Sequence, residues 1–488
     1  MSISSTIKTI QDIMRKDAGV DGDAQRLSQL VWMIFLKVFD AQEQEYELFN
    51  DHYQSPIPEA LRWRNWATNP EGITGETLLD FIDNTLFKTL KGFAIKAINP
   101  RQKMIGKVFE DTYNYMKNGT LIRQVISKIN EIDFTESTHR NQFSEIYEKI
   151  LKDLQSAGNA GEFYTPRAVT KFVIDRIQPK LGEIVLDPAC GTGGFLTATI
   201  DYIRNHFNSS DMPTILQKNI QGIEKKQLPY NLCITNLILH EIDIPSVKHD
   251  NTLATSWREI TSKNSVDIIV TNPPFGGMEE DGIEVNIQGS YRTRETADLF
   301  LVRIIHLLKN GGRGAIVLPD GTLFGEGVKT RIKEKLVTEC NLHTIVRLPN
   351  GVFNPYTGIK TNLLFFTKGK PTEMIWYYEH PYPAGYKSYS KTKPIRFEEF
   401  QQEQQWWDNR VETEFAWQVS IDEIKANNYN LDIKNPHQVD IEHVNIDEML
   451  NNYQQLMQEL NEVRSQLKLE LMEALKPHTE TEFVNKTY

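Results

Sequence analysis

The chain is poor in cysteine, has no excess of positive charge and lacks any long apolar run. Each shortage closes off a class of protein. Three of its 488 residues are cysteine (Cys190, Cys233 and Cys340), far apart and without paired spacing. That argues against a zinc site or a disulfide framework and points to a reducing cytoplasm. No apolar stretch reaches the roughly 18 residues of a membrane span. The N-terminus, Met1 to Lys8, lacks the basic-then-apolar order of a secretory signal. The net charge is −11, whereas a protein that grips nucleic acid unaided carries a basic footprint. Any such substrate must therefore be held with a partner's help, or in a basic groove hidden under the acidic average.

What is present is ordinary in bulk and specific in detail. Apolar content of 40% and charged content of 24% are those of a globular protein, and the length allows two or three domains. The most informative stretch is Asp267 to Phe275. The run Val266–Val270 reads as a short buried strand of a parallel sheet, ending in Asn272-Pro273-Pro274-Phe275. Open α/β sheets place their chemistry at this carboxyl end. Two prolines fix φ and remove two backbone donors. The loop then offers two rigid acceptors, the Asn272 side-chain oxygen and the Pro273 carbonyl, beside an aromatic plate. That combination suits a planar ring bearing an amine; as plain turn chemistry the tetrapeptide is less easily explained.

Upstream, residues 1 to about 155 read as helical. Ile3, Ile7, Ile10, Ile13 and Met14 recur at three and four, as do Leu27, Leu30, Val31, Ile34, Phe35 and Val38. Met104–Tyr115 and Leu121–Ile132 continue the pattern, and Trp32, Trp63 and Trp66 read as core. Next comes Gly161-Glu162-Phe163-Tyr164-Thr165-Pro166-Arg167. Thr165 reads as a helix N-cap with Pro166 at the first helical position, but the aromatic loop before it must cover something. The strand Glu183–Asp187 runs into Pro188-Ala-Cys-Gly191-Thr192-Gly193-Gly194 and a helix. Such glycines let a ligand approach a helix N-terminus, although the Gly-x-Gly-x-x-Gly dinucleotide fingerprint fails at Leu196. The strand Asn219–Glu224 ends in an acid placed to take ribose hydroxyls. His249–Leu253 either sets Asp250 beside an adenine ring or is a polar turn before a helix.

Beyond Phe275, residues 276–297 form a long acidic loop before a helix over 298–308 that Gly311-Gly312 should cap. Strands follow at 314–318, 344–348 and 363–366, completing a doubly wound βα alternation over about 160–370. Residues 370–440 carry no assignable role. Met449, Tyr453, Leu456, Leu460, Val463 and Leu467 alternate spacings of four and three, the seam of a coiled coil, which Leu471 and Ala474 roughly continue.

Together, Glu162–Arg167, Asp187 to Gly194, Glu224 and Asn272–Phe275 resemble, in order and spacing, the modification (methylase) subunits of type I restriction-modification systems. The order, cofactor motifs first, is that of the gamma class of amino-methyltransferases. The resemblance implies a Rossmann-like core over 156–400, a helical N-terminal domain over 1–155, and a helical, partner-binding C-terminal region over 401–488. It implies methyl transfer from S-adenosyl-L-methionine to adenine N6 of double-stranded DNA in a bacterial or archaeal cytoplasm. Glu162, Phe163, Tyr164, Thr165, Pro166 and Arg167 would close over the cofactor. Asp187, Gly191, Thr192, Gly193 and Gly194 would hold its methionine and ribose parts, Glu224 its ribose hydroxyls, and Asp250 its adenine. Asn272, Pro273 and Pro274 would orient the target amine, with Phe275 stacked on the base. Partners implied are a specificity subunit joined by two modification subunits, and a restriction subunit in the complete nuclease.

An amino-methyltransferase acting on protein or RNA, or a scaffold with a dead methyltransferase fold, are the rival readings. No Asp/Glu-x-Lys cluster on a strand supports a nuclease in this chain. The tail seam yields a prediction: deleting 449–474 should abolish co-purification with the specificity subunit while leaving cofactor binding intact. An intact complex after the deletion contradicts it.

Overall fold

The computed structural model describes residues 3–132, 134, 164–354, 357–390, 392–437, 456–458 and 460–468. The N-terminal periodicity becomes helices at Ile3–Met14 and Asp23–Phe49, with Pro100–Phe109 and Gly119–Asn130 later in the same region. In the second helix the expected stripe, Leu27 to Val38, is buried throughout. Trp32, Trp63 and Trp66 join that core. The helix expected over 104–115 stops at Phe109. There the Val108 carbonyl accepts from the Thr112 hydroxyl at 2.6 Å and from Asn231 Nδ2 at 2.9 Å, so side chains take over from the helical ladder.

The rest of the main unit is built on nine described strands. They are β1 (Val185–Asp187), β2 (Ile220–Glu224), β3 (Ser246–His249), β4 (Val266–Thr271), β5 (Leu308–Pro319), β6 (Cys340–Leu348), β7 (Thr361–Lys368), β8 (Met374–Glu379) and β9 (Ala416–Ser420). Their order is β3-β2-β1-β4-β5-β7-β6-β8-β9. β1 to β5 are parallel, while β7 runs antiparallel between β5 and β6. Strand alternation divides the core by face: Ile268, Val270, Leu363 and Phe365 enter one cluster, Ile269, Leu364 and Phe366 the other. This is the doubly wound α/β architecture expected from the sequence.

Three differences have physical causes. Gly311 and Gly312 do not cap the preceding helix, which runs Thr296–Leu307. They sit inside β5, where its register with β4 shifts between Val266 and Ile268, and Gly311 adopts φ 82°, a backbone that accommodates such a bulge. Second, the unassigned 370–440 region supplies two strands. Ile375 and Tyr377 face one core, Tyr378 the other, so the aromatic run is a strand buried on both faces. Third, the division expected near residue 400 cuts this sheet unit: β9 pairs antiparallel with β8, and Phe400 stacks on Phe172 at 4.3 Å between centroids. The compact unit runs to Asn435.

In the separate C-terminal unit, 456–458 and 460–468 are helical, with Leu456, Leu460, Val463 and Leu467 exposed. Met449, Tyr453, Leu471 and Ala474 lie outside the described residues. Among the described residues no helix is long and apolar enough to cross a membrane.

The helix Gln227–Leu239 is buried nearly all round from Tyr230 onward. Tyr230, Leu232, Ile234 and Ile238 pack into the N-terminal core, whereas Cys233 and Leu237 pack into a sheet core. Arg101 reinforces the junction. Its guanidinium pairs with Glu43 at 2.6 Å and Asp243 at 2.9 Å and lies over the Phe39 and Tyr46 rings. Removing one member of a buried pair strands the other. Arg101→Met should therefore cost about 3 kcal/mol in urea unfolding; a loss below about 0.5 kcal/mol would show the pair to be incidental.

Candidate active site

The order of the strands reverses between β1 and β4, because the chain winds outward to β2 and β3 before returning. At such a switch point the loops diverge and leave a crevice at the carboxyl edge. Here it is a cavity of about 240 Å³. Of the expected site residues, Tyr164, Thr165, Asp187, Gly191, Thr192, Gly194, Glu224, Asn272, Pro273 and Pro274 line it.

The glycine loop after β1 is held from two sides. Gly191 N–H donates to Glu224 Oε2 at 2.9 Å, and Lys226 N–H donates to Oε1 at 2.8 Å. The Asn236 amide, on the buried 227–239 helix, donates to the Thr192 carbonyl at 3.1 Å. Gly193 has φ 84°, and a Cβ there would meet Cys233 Sγ at 2.9 Å; the position is closed to other residues by backbone and by space. It serves as N-cap of the helix Gly194–His206, whose N-terminus carries partial positive charge toward the cavity edge. Cys190 and Cys233, distant in sequence, approach to 3.8 Å between sulfurs.

At the end of β4 the Asn272 side chain is oriented by a contact that the sequence did not reveal. Its Nδ2 donates to the Thr165 hydroxyl at 2.9 Å. Thr165 was expected to cap the following helix. Instead that helix runs Arg167–Ile177 with Pro166 as N-cap and no side-chain cap bond, which frees the hydroxyl for Asn272. With Nδ2 committed, Asn272 Oδ1 is a buried acceptor without a partner. Leaving such a group unmet costs about 1–3 kcal/mol, so the arrangement is poised for a donor.

Other expected residues lie elsewhere. Phe275 is buried, packed edge-on against Phe353 at 6.2 Å, and does not line the cavity; core burial accounts for the ring in this conformation. Asp250 is exposed and off the cavity wall; its N–H donates to the Glu224 carbonyl at 2.9 Å. Gly193, Pro166 and Arg167 support the wall without lining it, and Glu162 and Phe163 lie outside the described residues. Lys225 and Glu279 line the cavity unforeseen. Lys225 follows the expected acid directly, but nothing local marks Glu279 apart from its acidic neighbours.

A model of the N-6 DNA Methylase family matches residues 138–444, and one of the HsdM N-terminal domain matches 3–129. The chain belongs to the type I restriction enzyme methylase subunits. It is similar to the EcoEI methylase subunit of Escherichia coli, 60% identical over 96% of this chain and 97% of that relative. A modification subunit assigned to a type I restriction enzyme of Vibrio vulnificus YJ016 is 42% identical with a TM-score of 0.82, covering 90% of this chain and 97% of that one. A chain solved in work on complex assembly and conformational transition of the type I R-M system is 34% identical, TM-score 0.79, covering 97% and 99%. This type I methylase subunit is thus a modification subunit of the N6 DNA methyltransferase family.

Asp187 is 1% exposed. Burial pushes its carboxyl up to about 7; the Thr271 hydroxyl and Ala189 N–H oppose this, and the Glu224 charge adds to it. A carboxyl raised on folding keeps a proton that the unfolded chain has lost. Its contribution is therefore full below the unfolded value near 4 and fades as pH rises through about 7. The ligand-free protein should melt progressively lower between about pH 4 and 7, and Asp187→Asn should flatten that slope. An identical slope in the variant contradicts this assignment.

Proposed function

We propose that this subunit transfers the methyl group of S-adenosyl-L-methionine to N6 of adenine in duplex DNA, at sites selected by a specificity subunit. The observation that carries the reading is the unpartnered, buried Oδ1 of Asn272 at the cavity wall. An exocyclic amine supplies the missing donor there. The Pro273 carbonyl offers the second acceptor, and two prolines keep both from collapsing onto the backbone.

The cavity's donor and acceptor set fits this cofactor. Glu224, oriented by the Gly191 and Lys226 N–H groups, presents a carboxylate at the cavity wall that suits ribose hydroxyls. The open glycine loop and the helix N-terminus at Gly194 suit a carboxylate. Asp187 provides a buried carboxyl near a cationic methionine part, and Tyr164 and Thr165 close the near side. Bound, the sulfonium supplies an activated methyl and a good leaving group, so the protein needs no strong general base. The task of these residues is alignment, which brings the amine nitrogen in line with the methyl carbon and excludes water. A neutral Asn272 accepts from the amine without neutralising it as a salt. With the cofactor bound, these residues would hold the amine so that its nitrogen takes the methyl while the carbon–sulfur pair stays with sulfur, and the nitrogen would shed its extra proton after the transfer.

To enter, the base must leave the helix stack at a cost of a few kcal/mol. Phe275, now against Phe353, would stack on it only after turning out of its core contact. The acidic balance of the chain accords with two modification subunits sharing one specificity subunit that reads the sequence, and with a restriction subunit joining the full nuclease. We place this work in the cytoplasm of a bacterial or archaeal cell. The domain division belongs to the same proposal: helical docking domain, methyltransferase core, and a tail for the specificity subunit.

In the reconstituted complex, Asn272→Ala should reduce methylation by at least about 100-fold. S-adenosylmethionine affinity, read by equilibrium binding, should stay within about threefold because Oδ1 faces the amine. Equal loss of binding and methylation would overturn the role.

A further inference from the structure

The loop that follows the Asn-Pro-Pro-Phe tetrapeptide does not simply leave the site. Met278 bridges to Glu295, and Glu279 N–H donates to the Arg294 carbonyl at 2.9 Å. The Thr296 hydroxyl donates to the Gly277 carbonyl at 3.1 Å. These ties hold the Glu279 side chain, 10% exposed, on the cavity wall. Its carboxylate then meets two loops that do not adjoin β4. Oε2 is 3.3 Å from Lys225 Nζ, just after β2, and 3.3 Å from Asn251 Nδ2, just after β3. Oε1 lies 3.4 Å from the Thr296 hydroxyl, whose single proton the Gly277 carbonyl takes at the shorter distance.

The sheet order makes this reach informative. β1 lies between β4 and β2, and strands are spaced about 4.8 Å apart. A side chain from the β4 loop that touches the β2 and β3 loops must pass over the end of β1, where the glycine loop lies. We propose that Glu279 is a positioning residue: the latch of a roof that joins the target-amine loop to the cofactor-side loops and retains the cofactor beneath it. This rests on the reading of the cavity as a cofactor site. It adds a reason why the acceptors at Asn272 and Pro273 stay aligned while the cofactor is bound: the same carboxylate that closes the cofactor side anchors the loop those acceptors begin.

Glu280 supplies the internal control. It also pairs with Lys225, at 3.0 Å, but is exposed and does not line the cavity. The test is the dissociation rate of radiolabelled S-adenosylmethionine from the full-length chain, chased with unlabelled cofactor. Glu279→Ala should release it about tenfold faster, the loss of roughly one charge-assisted hydrogen bond. Glu280→Ala should stay within about twofold. Glu279→Gln, which keeps shape and hydrogen bonding, should fall between them. Raising salt should speed release from the wild type more than from either Glu279 variant. Because release is read from folded, cofactor-loaded protein, a drop in melting temperature alone cannot produce this pattern. Wild-type rates in both Glu279 variants overturn the latch; wild-type protein that binds no cofactor removes the cofactor reading itself.

Discussion

Everything at this site depends on β1 pairing with both β2 and β4. That one topological reversal sets Asp187 and Asn272 at neighbouring strand ends although they are far apart in sequence, and it keeps the loops after β1 and β4 from covering the gap between them. The parallel ladder fixes their height. Val185 and Leu186 register with Ile268 and Ile269, so the glycine loop and the Asn-Pro-Pro turn emerge at the same edge. A register slip would carry Asn272 away from Thr165 and, because side chains alternate, turn it to the other face.

The helical N-terminal region contributes to the site without touching it. It packs on the helix Gln227–Leu239, which is buried from both sides, and Asn236 on that helix holds the Thr192 carbonyl. Gln227 reaches the Lys107 and Val108 carbonyls from the opposite end at 3.0 and 3.1 Å. The bundle thereby fixes the angle of the helix that pins the glycine loop. An apolar helix whose buried amides meet a neighbour at each end is a rigid way to transmit position, because buried amides have few alternative partners.

Much of this was legible in the sequence, for identifiable reasons. β1 and β4 are short apolar runs stopped by Asp187 and Asn272, and β2 is a mixed run ending in Glu224, so strand, strand end and candidate site residue were read from one signal. The N-terminal stripe was clear because buried residues recurred at helical spacing. What escaped was non-local. β3, with its lysine and histidine, carries little apolar signal, and β8 and β9 lie in a segment whose aromatics could serve a helix or a strand equally. Thr165 looked like a cap because Thr-Pro is a helix start; only the fold brings Asn272 to its hydroxyl. Glu279 was one acid among three, and nothing local distinguishes a buried carboxylate that spans three loops from its exposed neighbours.

The central claim is that the unpartnered acceptor at Asn272 serves an adenine amine in DNA. The most direct measurement is nucleoside mass spectrometry of unmethylated DNA incubated with S-adenosylmethionine and the purified chain, with and without its specificity subunit. The account predicts N6-methyladenine, and only when the specificity subunit is present. Methyladenine from the chain alone would contradict the division of labour inferred from its acidic balance. Cofactor binding with no methylated base in either reaction would contradict the assignment of DNA adenine as the substrate.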